Sequence, residues 1–193
     1  MLPELLQTAN IFKLLHRIDT DLAAQQQKAG CPFCGGALHY SNYQRKPRGG
    51  PELPDSLSYR FSLCCSKEKC RRRTLPPSTL FMDRRVYFRA VILIVTTLNQ
   101  SKPQEYSKNT LSRMFETDRK TINRWLTYFR EIFPQSKIWR MARGFINPTV
   151  TNQGLPKSLI EYYLKHSPSS EGAIINCLKL LTIGFPTVKT MAQ

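Results

Sequence analysis

Apolar positions recur at helical spacing over most of the chain. Leu5, Leu6, Ile11, Phe12, Leu14, Leu15, Ile18 and Leu22 predict a helical arm over 1–28 that packs on the body, with Thr8 or Asn10 as a break. Val86, Tyr87, Ala90, Val91, Ile94, Val95 and Leu98 predict a helix over 83–99 with a broad buried face, started by Asp83 and closed by Asn99-Gln100-Ser101-Lys102-Pro103. The β-branched run Val91–Val95 would permit a strand, but the length favours helix. Arg84, Arg85 and Arg89 fall outside that face and are expected to extend a basic surface. Ser107 can cap a helix reaching Phe115, and Glu116-Thr117-Asp118 reads as a short turn. A second helix follows over 119–130, with Ile122, Trp125, Leu126 and Phe129 spaced to face a core. Between Pro134 and Pro148, Ile138–Phe145 reads as a short strand or wing, with Arg140 and Arg143 within reach of phosphate. Residues 156–166 and 170–183 read as two more helices suited to packing or self-association, and Cys177 as a structural thiol within the second.

One segment breaks the helical pattern. Tyr59, Phe61, Leu63 and Cys65 alternate with Arg60, Ser62 and Cys64, which predicts a strand. It lies between two cysteine hooks, Cys31-Pro32-Phe33-Cys34-Gly35-Gly36 and Cys64-Cys65-Ser66-Lys67-Glu68-Lys69-Cys70. Two short hooks brought together supply the four soft ligands of a tetrahedral zinc, and such a site can fold a segment too polar to build its own core. Proline stiffens the first hook and glycine permits its tight turn. Five cysteines compete for four places. Cys31, Cys34 and Cys70 are assigned directly; strand parity and the shorter gap to Cys70 favour Cys65 over Cys64. His39 is the other candidate ligand, though a lone histidine here reads better as a packing or surface residue. A redox Cys-x-x-Cys needs no second hook, and a disulfide needs an oxidising compartment, so zinc is favoured over both. The stretch Tyr40–Pro51 between the hooks reads as a loop on its glycine and proline content.

Charge changes the picture. The chain of 193 residues carries a net charge of +16, and 22 basic against 8 acidic residues lie within 31–143. Charge concentrated on the segment that holds the cysteines points to a polyanion, and to nucleic acid rather than a membrane surface. No run of eighteen apolar residues occurs, and Met-Leu-Pro-Glu does not open a signal peptide, so a cytoplasmic, nucleoid-associated protein without membrane contact is expected. Three basic sets carry the expected contacts. Arg45, Lys46 and Arg48 sit in the inter-hook loop beside tyrosines, where a solvated loop is an equal reading. Arg71, Arg72 and Arg73 follow the last cysteine, so the metal would fix where they point. Arg119, Lys120, Thr121, Asn123 and Arg124 occupy the polar N-terminal side of the 119–130 helix. That side is what a helix-turn-helix recognition helix presents to a major groove: Arg pairs with guanine, Asn with adenine, and Thr and Lys hold phosphate. An ordinary amphipathic hairpin would show the same pattern without the surrounding charge.

The expected fold is mainly α, with a small zinc-ribbon β module and a helix-turn-helix domain. Its organisation is an N-terminal helical arm over 1–28, a zinc-ribbon module over 29–82, a helix-turn-helix region, winged if the wing forms, over 83–150, and a helical packing or oligomerisation segment over 151–193. A cysteine ribbon with this CPxCG hook and its Cys-x4-Cys-Arg-Arg-Arg-Thr partner, followed by Thr121-Ile122-Asn123-Arg124-Trp125, resembles small bacterial DNA-binding proteins of mobile elements. These include the N-terminal modules of insertion-sequence transposases and their separately encoded regulators. Arg45–Pro51 together with Thr74–Pro77 also resembles a block in bacterial proteins associated with such elements. The resemblance covers about 29–133; the doubled Cys64-Cys65 and the long inter-hook loop depart from the compact ribbon. It implies duplex DNA as partner, a transposase or recombinase nearby, and a role in transposition or its regulation. Scattered acids and the lack of an H-x-E, a histidine pair or a Walker loop favour a binder over an enzyme, and Tyr162-Tyr163 has no histidine pair beside it. The alternatives are an RNA-binding ribbon protein, a protein-interaction adaptor, and the DNA-binding subunit of a transposase or recombinase. Residues 1–28 and 156–183 are the candidate surfaces for a homodimer.

Overall fold

A computed structural model describes residues 2–82, 86–100 and 106–184. It is mainly helical, with two small antiparallel sheets. After a 3-10 turn at Glu4–Leu6 the chain straightens at Thr8, one of the two expected break points, and enters α1, Ala9–Ala29. Ile11, Phe12, Leu15, Asp19 and Ala23 form its buried stripe at spacings of three and four. The arm is therefore packed on the body, and Gly30 ends it with a φ of +78°.

Strands β1 Leu38–Tyr40, β4 Leu63–Cys65 and β5 Arg73–Thr74 form one sheet in the order β1-β4-β5. Leu38 faces Cys65 and Tyr40 faces Leu63 in the first ladder; Cys64 faces Arg73 in the second. Strands β2 Tyr43–Gln44 and β3 Tyr59–Arg60 form a separate ribbon. The expected continuous strand over 59–65 is therefore broken at Phe61-Ser62. The cause is a change of partner: Tyr59 and Arg60 pair with the inter-hook stretch, while Leu63–Cys65 pair with β1. The Arg60 side chain, which the alternating pattern alone places on the outer face, is buried, and its guanidinium donates to the carbonyls of Phe61 and Pro76. The inter-hook stretch is tied down as well. Gly49 has a φ of +79°, and a Cβ there would meet Val91 at 2.8 Å; a Cβ on Gly50 would meet Phe88 at 2.8 Å. These two glycines let the backbone lie against α2 with no side chain between.

Helix α2, Arg89–Gln100, is the centre of the body, with every residue from Ala90 to Leu98 buried. A helix apolar on all sides belongs inside, and α3 Lys108–Met114, α4 Arg119–Thr127, α6 Lys157–His166 and α7 Ser170–Ile183 pack around it. It begins later than the pattern predicted. Residues 86–88 are extended, because Arg48 N–H donates to Val86 C=O, Arg89 N–H donates to Leu80 C=O, and Phe88 bridges to Phe81. Val86 is consequently exposed instead of buried. Arg89 does not extend a basic surface: its guanidinium donates to Leu181 C=O at 3.0 Å and Phe81 C=O at 3.3 Å, tying α7 to the start of α2. Asp83, Arg84 and Arg85 and the closing Ser101-Lys102-Pro103 lie outside the described residues.

Helices α3 Lys108–Met114 and α4 Arg119–Thr127 follow at the expected places. Beyond Thr127 the chain widens into a π turn at Tyr128–Ile132 and a 3-10 turn at Phe133–Gln135. The expected strand or wing is instead α5, Lys137–Arg143, and among the described residues no strand follows Thr74. Ser136 accepts from Trp139 N–H as its N-cap, and Trp139 and Ala142, three apart, point into the core. Trp139 Nε1 donates to Asn152 Oδ1 at 2.8 Å. Arg143 folds back on the carbonyls of Ile146, Asn147 and Pro148, while Arg140 stays exposed. Helices α6 Lys157–His166 and α7 Ser170–Ile183 pack on each other, and Cys177 is fully buried in the shared core. That core runs from Leu6 to Leu181; a second cluster holds only Cys31, Leu38, Leu63 and Cys65 with Cys70 beside it.

One buried carboxylate locks α1 to the chain leaving the sheet. Asp19, 2% exposed, accepts from the Ser78 hydroxyl, from the Thr79 hydroxyl at 2.8 Å, and from the N–H groups of Thr79 and Leu80. Burial holds its pKa above the ordinary carboxylate value, and the donors and Arg60 work against that rise. Asp19→Ala strands these donors in the interior. It is expected to lower stability by about 3 kcal/mol in urea titrations of the metal-loaded protein. Ser78→Ala, which keeps Asp19 paired with Thr79 and Leu80 but takes the acceptor from Phe81 N–H, should cost about half of that.

Candidate metal centre and basic surface

The first hook is a closed turn. Cys31 N–H donates to Gly36 C=O, and Cys34 and Gly35 N–H both donate back to Cys31 C=O. The φ of Gly35 is +68°, and a Cβ on Gly36 would sit 3.1 Å from Cys65 Sγ and 2.9 Å from the Lys67 side chain, so both glycines are dictated by the turn and the approaching sulfur. The second hook turns the same way, with Cys70 and Arg71 N–H donating to Lys67 C=O. The hooks are held edge to edge by Ser66 N–H on Ala37 C=O and by Lys67 Nζ on Cys34 C=O at 3.2 Å.

Four sulfurs meet between them. Those of Cys31, Cys34, Cys65 and Cys70 all lie within 4.8 Å of one another, with Cys31 to Cys70 at 3.8 Å and Cys34 to Cys65 at 3.5 Å. A tetrahedral ion with sulfur at about 2.3 Å separates its ligands by about 3.8 Å, so the group has the size of a four-cysteine metal centre. The ambiguity between the adjacent cysteines is resolved by pleat: Cys65 points into the cluster, and Cys64 Sγ points away toward the Arg71 and Cys65 carbonyls. His39, opposite Cys64 across the ladder and exposed, is outside the group. The thiols differ in acidity. The Phe33 N–H aimed at its sulfur helps bring Cys31 down to about 7, whereas burial pushes Cys65 up to about 12. A cation held by the four sulfurs would displace the proton that burial otherwise keeps on Cys65.

The basic residues expected to meet nucleic acid fall in three places. Arg71, Arg72 and Arg73 leave the second hook exposed, Arg71 with a φ of +45°. Arg72 lies 4.6 Å from the Phe33 ring centre, and Arg73 lies 5.7 Å from that of Tyr43 and donates to the Ser41 hydroxyl. In the inter-hook stretch Arg45 is half-buried beside Phe81, whereas Lys46 and Arg48 are exposed. On α4, Arg119, Lys120, Asn123 and Arg124 are exposed while Ile122, Trp125 and Leu126 are buried, as the spacing predicted. Thr121 is partly buried, and its hydroxyl donates to Asp118 at 2.7 Å, so it serves the helix cap. The donors from Thr121 hold Asp118 below the usual carboxylate range.

Contacts link the second and third places. Tyr87, paired with Arg48 in a bridge, puts its ring 4.9 Å from Trp125 of α4 and its hydroxyl 3.5 Å from Glu116 C=O. The sequence reading missed four contributors. Asp118, three residues before Thr121, carried a legible N-cap signature. Asn109, which accepts from Arg119 at 3.3 Å, and Tyr87 are set by tertiary contact and left no local signal. Phe33 lay inside the cysteine hook and was read only as spacing. None of the described helices is long and apolar enough to cross a membrane. The chain matches no known protein family, no curated protein and no solved structure.

Elemental analysis of purified protein should find one divalent ion per chain, lost on Cys65→Ser and retained on Cys64→Ser. Competition with a chelator should show affinity falling as pH drops from about 8 to about 6, because the ion must then displace more protons from the thiols.

Proposed function

We propose that the protein binds duplex DNA through two elements. Helices α3 and α4 act as a helix-turn-helix with α4 in the major groove, and a zinc-ribbon module holds adjacent backbone. The observation that carries this reading is the division of α4. One side is seated on α2 and α3 through Ile122, Trp125 and Leu126, and the N-terminal side offers Lys120, Asn123 and Arg124 to solvent. Zinc is the ion of choice for four thiolates at this spacing, since structural four-cysteine sites are closed and tetrahedral. The excess of basic residues in 31–143 supplies the electrostatic term that duplex binding needs. On the resemblance to mobile-element proteins, the protein is a non-catalytic accessory factor or regulator in a transposition or recombination system. Arg119 and the Arg71–Arg73 run serve the phosphate backbone, with Arg45, Lys46 and Arg48 between them, while Asn123 and Arg124 read bases.

The test is binding to duplexes selected from a random pool. Affinity should fall roughly a thousandfold between about 50 and 200 mM salt. Asn123→Ala and Arg124→Ala should each cost about 1–3 kcal/mol on the selected site and relax preference at one position. Lys120→Ala should weaken all sequences alike. Salt-insensitive binding, or structured RNA outcompeting duplex DNA, would overturn the reading.

A further inference from the structure

Phe33 is the residue the duplex-binding scheme leaves unused. It is a large apolar side chain 56% exposed, placed between two metal-site cysteines, where solvent exposure carries a cost that neither packing nor metal binding requires. Its backbone lies inside the turn closed by the Cys34 and Gly35 bonds to Cys31 C=O. The Arg72 guanidinium lies 4.6 Å from the ring centre. A cation over one face leaves the other to solvent and makes the pair a rigid, positively charged platform. Lys67, Lys69, Arg71 and Arg73 flank Arg72 in the sequence against the single Glu68, and all five are exposed. A flat ring with a cation on one side, in a field of positive charge, matches one chemistry: a planar base joined to phosphates. Inside an intact duplex both faces of every base are already stacked, so the ring can be used only by a base that has left its pair.

We infer that the metal module is a binding site for unpaired nucleobases, in which a base stacks on the open face of Phe33 while Arg72 backs the ring and Arg71 and Arg73 hold the flanking phosphates. The inference rests on the nucleic-acid reading above and deepens it. The protein would engage DNA whose strands are locally opened beside the segment read by α4, as happens wherever strands are cut, exchanged or melted.

Fluorescence anisotropy can compare two labelled probes, a short intact duplex and the same duplex with a central run of unpaired thymines. The wild-type protein should bind the second roughly tenfold tighter at equal salt. Phe33→Ala should erase that preference and leave intact-duplex affinity within about twofold, and Phe33→Trp should restore it. If Phe33→Ala loses its metal, Phe33→Leu, which keeps apolar bulk without a stacking face, makes the same test with metal content checked. Equal binding of both probes by the wild type, or a preference that survives in a metal-loaded Phe33→Ala or Phe33→Leu protein, overturns the inference. The two readings fail separately. Salt-dependent duplex binding without preference removes only the stacking site, while Phe33-dependent binding of unpaired strands without duplex binding removes only the duplex reading.

Discussion

Four sulfurs at one point are the constraint around which the small three-stranded sheet is arranged. The sheet around them has almost nothing else to hold it. Its own core is Leu38 and Leu63 with the buried cysteines, and its strands are two or three residues long. Burying two leucines gives about 3–6 kcal/mol, well short of the cost of ordering some forty residues. An ion held by the cluster would join hooks about thirty residues apart and close the loop between them, which is the situation in which a cross-link removes most freedom from the unfolded chain. The direction of Arg71–Arg73 is a consequence. The Lys67–Cys70 turn, the positive φ of Arg71 and the pairing of Cys64 with Arg73 leave these side chains little choice of bearing.

The metal module does not hang free from the helical body. Asp19 grips Ser78, Thr79 and Leu80 as the chain leaves the sheet, and Gly49 and Gly50 lie against Val91 and Phe88 as it crosses between the hooks. Each attachment uses a residue that looks expendable in sequence, a lone acid in an apolar stripe and a pair of loop glycines. Both are irreplaceable by ordinary side chains, the first because its donors would be stranded and the second because the space is filled. Through Tyr87 the same inter-hook stretch reaches Trp125 and the turn before α4. The three basic sets therefore sit on one packed framework, and the spacing between them is set by the fold and not by a linker.

Helical periodicity was legible in most of the helices that have one buried and one wet side, α5 being the exception. That covers α1 with its break at Thr8, α3 and α4 with Ser107 as cap, and α6 and α7. Strand parity separated Cys65 from Cys64, because a pleat leaves only alternate residues on one face. The misreadings have separate causes. Val86 and Tyr87 continue the periodicity of α2 but are claimed by backbone partners at Arg48, and no local pattern announces a bond to a residue so far back in the chain. Ile138–Phe145 has the aromatic and proline-flanked look of a strand, yet Ser136 starts a helix there, a capping signal outweighed in the reading by composition. Arg89 and Arg143 count as surface charge in any sum over the sequence, whereas the fold spends them on carbonyls of α7 and of the 146–148 turn.

The same distinction between counted and available groups bears on how α4 would work. Of its five polar N-terminal residues, two are already engaged by the protein. Thr121 donates its hydroxyl to Asp118, and Arg119 reaches Asn109 on α3. A side chain held by its own fold cannot follow a base edge without giving up that partner, but it is well suited to a phosphate, which asks for position and not for choice. Asn123 and Arg124 lie three and four residues beyond Lys120, so the three share one stripe of the helix. On the proposed reading, sequence preference must then come from that stripe. The capped and braced residues at the first turn would then set the angle at which it enters the groove, dividing the work between groups that fix the helix and groups that read.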